Sequence, residues 1–104
     1  MRLANISSNI AFSKDMPLTK VIHGSGNASA RLLCLEAKQA IPPCTMQSEV
    51  LYLVMEGKGL MIAGKDKAEL APGIFVALPA NVTRSIECLE RLVILGIAVE
   101  GRAK

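Results

Sequence analysis

Aromatic side chains are scarce in this chain of 104 residues, which has no tryptophan, one tyrosine and two phenylalanines. Proteins that bind single-stranded nucleic acid stack bases on aromatic residues beside a cluster of basic residues. The twelve Lys and Arg residues are scattered along the chain and form no such cluster, although the formal net charge is +3. The sequence therefore argues against a nucleic-acid partner.

Long apolar runs and paired cysteines are also missing. No run approaches the ~20 apolar residues of a membrane-spanning helix, and the first five residues have no apolar signal core. The three cysteines, Cys34, Cys44 and Cys88, are an odd number without CxxC spacing. We interpret them as reduced thiols and predict a cytoplasmic protein with no structural zinc site, no cofactor and no membrane partner.

The clearest local signal lies in residues 49–59, EVLYLVMEGKG. Residues 50–55 form an unbroken apolar run bounded by charge and glycine, which is typical of a strand covered on both faces. We predict a turn at Gly57, with residues 58–63 returning as the second arm of a hairpin. The rest of the chain can be read as strands that wrap around this one.

Short strands are predicted along the remaining sequence, and no helix is. Residues 83–89 alternate, with Arg84, Ile86 and Cys88 on one face, and a turn at 90–91 separates them from the apolar strand 92–99. Glycine and proline turns delimit eight to ten strands in all, which favours an all-β sandwich or small barrel. The other predicted strands cover residues 5–13 (a weak edge strand), 18–23, 30–37, 44–48, 67–70 and 74–78. Residues 101–104 are expected to form a polar, frayed tail.

Two blocks of the sequence resemble those of the cupin superfamily. The first, at about residues 41–59, has the spacing of the family's His-x-His, Glu and Gly block, and the second, at about 72–88, has that of its Pro-Gly, Pro and His block. The resemblance implies one domain over residues 1–104, folded as a double-stranded β-helix, or jelly-roll barrel. Cupins commonly form dimers, so a homodimer is also implied.

The metal ligands of the cupin superfamily do not carry over to this chain. Counting from Gly57, the family's two histidine positions correspond to Cys44 and Met46, its glutamate position to Val50, and its last histidine position to Arg84. Glu49 is one residue out of phase and would face the other side of the strand. The metal-dependent reactions of the superfamily are therefore not expected here.

The main hypothesis is a barrel that binds a small anionic molecule without a metal ion. Arg84 would anchor the anion, Tyr52 would be a polar contact, and Cys44, Met46 and Val50 would form the wall. The alternative for Arg84 is an ion pair with Glu49 or Glu87, or a guanidinium group that reaches water.

Three further hypotheses remain open: a soft-metal site, a nucleophilic cysteine, and the structural or regulatory module described in the next paragraph. Cys44, Met46 and Cys88 could form a soft-metal site selective for Cu(I). Cys44 could be a nucleophile activated by Arg84, although the only histidine available as a base is His23. Whether the protein is an enzyme is left open, since no catalytic set can be named.

The last hypothesis is a structural or regulatory dimer module. Val50 and Met46 would then pack the barrel shut. Residues 92–99 and the predicted N-terminal strand would offer free edges for a partner chain.

Overall fold

The computed structural model describes residues 1–100 and is almost entirely β-structure. The predicted polar tail at 101–104 lies outside these residues. Seven strands follow one 3₁₀ turn, Ser7–Asn9. The strands are β1 (Leu18–Gly24), β2 (Ala28–Leu35), β3 (Ala40–Thr45), β4 (Glu49–Ala63), β5 (Asp66–Leu70), β6 (Phe75–Leu78) and β7 (Thr83–Val99).

The seven strands form one hydrogen-bonded antiparallel sheet, and its two long strands, β4 and β7, run through two parts of it that we call the first and the second sheet. The first sheet has the order β1-β2-β7-β4-β6 and uses residues 49–56 of β4 with residues 93–99 of β7. The second has the order β3-β7-β4-β5 and uses the other halves of the same two strands. The main core lies between the sheets, so the predicted all-β jelly-roll barrel is confirmed.

The predicted hairpin at Gly57 is wrong. β4 continues through this point, and its pairing with β7 shifts register between Val54 and Gly59. Gly57 has φ +89°, and a Cβ atom built on it would overlap the carbonyl oxygens of Arg91 and Glu90. Glycine therefore marks a bulge at a barrel corner, where two strand backbones approach closely.

The second predicted turn, at residues 90–91, lies on the other side of the same corner. β7 also runs on without a break. Gly57 and the charged residues 90–91 were interpreted as chain reversals. They instead lie where β4 and β7, still paired with each other, pass from one sheet to the next. Each of these two continuous strands merges two predicted ones, and the strand predicted at residues 5–13 is absent as described below, so seven strands remain of the ten predicted ranges.

The predicted edge strand in residues 5–13 is also wrong. This segment contains the 3₁₀ turn and lies over the outer face of the first sheet. Ile6, Ile10 and Phe12 pack there against a small cluster of buried residues. The Arg91 guanidinium lies 4.5 Å from the Phe12 ring centroid. The buried members of the cluster are Ile22, Leu32, Cys34 and Val93.

Residues 92–99 do not form a free sheet edge. The prediction that a partner chain could pair with this strand is therefore wrong. Residues 92–99 pair with β2 on one side and with β4 on the other. Their apolar sequence follows from burial on both faces: Leu92 and Ile94 belong to the core between the sheets, and Val93 to the cluster beneath the N-terminal segment. Within residues 1–100, no helix has the length and apolar character needed to cross a membrane.

Candidate ligand-binding site

A cavity of about 190 Å³ lies between the two sheets. This is several times the ~30 Å³ that one water molecule occupies in the liquid. Thr19, Arg31 and Cys44 line it and are exposed, so the cavity opens to solvent on their side. The remaining lining residues are Ser29, Leu33, Ile41, Met46, Val50, Tyr52, Ile86, Gly96 and Ala98.

A row of three residues crosses the floor of this cavity. Arg31 on β2 pairs with Gly96 on β7, and Gly96 pairs with Tyr52 on β4, so all three face the barrel interior. A Cβ atom built on Gly96 would lie 3.4 Å from Cε1 of Tyr52. The missing side chain at Gly96 therefore leaves space between Arg31 and the tyrosine ring.

Arg84 is buried in the barrel, with 2% of its surface exposed. Its Nε donates to the carbonyl oxygen of Val82 at 2.9 Å, and its Nη1 donates to the hydroxyl oxygen of Tyr52 at 2.9 Å. Its Nη2 is buried and has no hydrogen-bond partner among residues 1–100. A buried guanidinium normally has a compensating anion, because desolvating its charge is costly.

No carboxylate compensates Arg84 within the part of the chain that the structure describes. Glu49 and Glu87 are exposed, and the one ion pair in that part joins Arg91 to Glu36. Arg84 therefore forms no ion pair with Glu49 or Glu87, and its guanidinium group does not reach water. The alternative prediction for Arg84 is wrong.

The five residues predicted for the site lie at or beside the cavity. Cys44, Met46, Val50 and Tyr52 line it, whereas Arg84 does not and reaches it through the Tyr52 hydroxyl group. Because the Tyr52 oxygen accepts from Arg84, its own proton can be donated elsewhere. No hydrogen bond within residues 1–100 uses that proton.

Eight of the twelve lining residues were not predicted, and four of these eight, Thr19, Ser29, Arg31 and Gly96, have no apolar side chain. A signal for two of them was available. Ser29 and Arg31 alternate in β2 with the inward-facing Leu33 and so share its face. The importance of Gly96 had no local signal, because it depends on which residue pairs with it across the sheet.

The residues at the cupin metal-ligand positions do not fit a metal ion. Val50 has no donor atom, and Arg84 places a buried positive charge beside Cys44, its cross-strand partner. No group of three or more His, Cys, Asp or Glu side chains suited to a metal occurs within residues 1–100. The residues at these positions therefore support no metal-dependent step.

The structure also does not bring Cys88 to Cys44, as the soft-metal hypothesis requires. Cys88 lies four residues beyond Arg84 on β7, which is about 13 Å along a strand. Its thiol donates to the carbonyl oxygen of Leu35 at 3.4 Å, and burial raises the pKa of this thiol. Cys88 is thus a core residue whose deprotonation is disfavoured.

The nucleophile hypothesis needs a base beside Cys44, and the structure does not supply His23 in that role. His23 is exposed on β1, where it pairs with Ala30, and it does not line the cavity. The cavity that Met46 and Val50 line also argues against a barrel packed shut by these two side chains.

Solved structures with closely similar folds are numerous, whereas no protein-family model and no curated protein sequence matches the chain. A protein from Thermus thermophilus has a TM-score of 0.89 at 18% identity, over 96% of this chain and 98% of that one. A cupin superfamily protein from Desulfitobacterium hafniense has 0.87 at 18% identity, over 97% of both chains. An uncharacterised protein with a double-stranded β-helix domain from Klebsiella pneumoniae has 0.87 at 13% identity, over 100% and 94%. These similarities show that the fold is the cupin double-stranded β-helix.

Proposed function

We propose that this cupin barrel binds a small anionic molecule without a metal ion. The observation that carries the proposal is the buried Arg84, which has no carboxylate partner among the described residues and a buried Nη2 with no acceptor. An anion that reached this group would supply the missing acceptor and the compensating charge. The proposal assigns binding to the barrel and no reaction.

Tyr52 links the cavity to Arg84 in this proposal. Its ring lines the cavity and its hydroxyl oxygen accepts a hydrogen bond from the guanidinium. The guanidinium therefore polarises the hydroxyl group and leaves its proton free for an anion. We expect the anion to contact the Tyr52 hydroxyl first, and the Arg84 Nη2 once the ring shifts aside.

The size and lining of the cavity restrict the ligand. Its volume of about 190 Å³ lies below the ~300–1,000 Å³ of pockets that bind drug-sized molecules. Apolar side chains such as Leu33, Ile41 and Ile86 form most of the wall. The anion should therefore be small, with an apolar body.

The test is a thermal-shift screen of short-chain carboxylates and small phosphates, followed by calorimetry on any compound that stabilises the protein. Arg84→Met should weaken binding by about 10- to 100-fold, because it removes hydrogen bonds from a charged donor. Arg91→Met is the matched control, since Arg91 carries the same group outside the cavity. Absence of any stabilising anion, or equal weakening by both variants, would contradict the proposal.

A second proposal, homodimer formation, is favoured by the outer face of the first sheet. Leu53, Met55 and Phe75 have exposed fractions of 36%, 38% and 59% there, and Leu53 pairs with Phe75 across the strands. The flanking residues Leu51 and Ile97 on the same face are also apolar. A largely apolar face of this kind suits a second copy of itself related by a twofold axis.

Charge introduced on this face should separate the two chains. We expect the wild type to elute as a dimer in sizing chromatography at micromolar concentration, and Leu53→Lys/Phe75→Lys to elute as a monomer. Leu89→Lys is the control, because Leu89 is 64% exposed and lies at the barrel corner, away from this face. A monomeric wild type, or a double variant that stays dimeric, would refute the dimer.

A further inference from the structure

We infer that the ligand carries an anionic group at each end, and that Arg31 binds the outer group. This inference rests on the proposed function, which assigns the inner group to Tyr52 and Arg84. Arg31 lines the open side of the cavity and has no ion-pair partner in the described part of the chain. It would meet the ligand where the cavity opens to solvent.

The register of the first sheet sets the spacing of the two backbone positions from which Arg31 and Tyr52 extend. Arg31 and Tyr52 both pair with Gly96, one from each side. Because adjacent strands are spaced by about 4.8 Å, the Cα atoms of Arg31 and Tyr52 are about 10 Å apart. Two donor side chains on one face at this spacing match a short molecule with a charge at either end.

Gly96 makes room for the middle of such a molecule. It stands between the two donors and contributes no side chain to the cavity floor. Leu33 and Ile86 are among the apolar residues that line the same space, and none of the described residues that line it is acidic. A linear dicarboxylate of about four to six carbons combines two anionic ends with an apolar middle and suits a cavity this small.

The experiment compares dicarboxylates with monocarboxylates of equal carbon number. Succinate, glutarate and adipate are titrated against butyrate, valerate and hexanoate by calorimetry, at fixed pH and ionic strength. We expect at least one dicarboxylate to bind about tenfold or more tightly than its monocarboxylate partner, since it gains a second charge-assisted contact.

Arg31→Gln should reduce the affinity for that dicarboxylate to the level of the monocarboxylate. Lys20→Gln is the matched control, because it removes the same charge from an exposed residue of the neighbouring strand β1 that does not line this cavity. Wild-type affinity should persist in this control. Adding bulk to the floor with Gly96→Val should weaken binding of the same dicarboxylate, because the added methyl groups enter the space between the donors.

Two failures are distinguishable. If both series bind equally, or if Arg31→Gln has no effect while Arg84→Met abolishes binding, the two-ended ligand is refuted and the proposed anion site stands. If neither series binds and no small phosphate does, the proposed function fails, and this inference fails with it.

Discussion

Gly57→Ala is expected to lower the free energy of unfolding by about 3–5 kcal/mol, through left-handed backbone strain and forced movement of a packed strand. The substituted Cβ would overlap the carbonyl oxygens of Arg91 and Glu90, which are backbone atoms of β7 and cannot rotate away. Relief would require the two long strands to separate at the corner where both change sheets. Since domains of this size are stable by only about 5–15 kcal/mol, the loss should be large in a urea titration.

Gly73→Ala is the control that separates backbone strain from steric overlap in the loss of stability expected for Gly57→Ala. Gly73 has the same φ of +89°, but nothing lies within 4 Å of its Cβ position. Its substitution should therefore lower stability by only about 1–2 kcal/mol, the strain of the left-handed conformation alone. Equal losses at the two glycines would show that close packing at the barrel corner contributes nothing.

Replacing the polar pair with Arg84→Met/Tyr52→Phe is expected to raise the free energy of unfolding by about 1–3 kcal/mol. Exchanging a buried charge for an apolar side chain of similar volume is often neutral or stabilising, because no charge then has to be desolvated. Tyr52→Phe alone should have the opposite sign and lower stability by about 1–3 kcal/mol, since it leaves Arg84 Nη1 without its acceptor.

Denaturant unfolding of the wild type, both single variants and the double variant completes a mutant cycle. A double variant clearly less stable than the wild type would mean that Arg84 supports the fold and would weaken its assignment as a binding residue. The expected gain, together with loss of anion binding, would mean that the barrel keeps a buried charge at the expense of stability. Residues retained in this way are expected at binding sites.

The proposed roles of Arg84 and Arg31 illustrate two kinds of sequence signal. The alternation of residues 83–89 predicted that Arg84 shares a face with Ile86 and Cys88, and the structure buries all three side chains. The same alternation was present in β2, but nothing in the sequence distinguished Arg31 from other scattered cations. Only the pairing of β2 with β7 brings it to the open side of the cavity.

The sequence by itself determined the all-β architecture and the faces of its strands, because alternation of side chains along a strand is a local property. It also determined that the cupin metal ligands are absent, through Val50 and Arg84. Whether Gly57 forms a turn or a β-bulge was decided by the tertiary structure. A glycine suits both conformations, and only the close approach of the Arg91 backbone shows that it is a bulge. The tertiary structure likewise decided that Tyr52 stands between the cavity and Arg84, and that Gly96 opens the space beside it. These relations join residues far apart in the chain, and they exist only once β4 and β7 have paired.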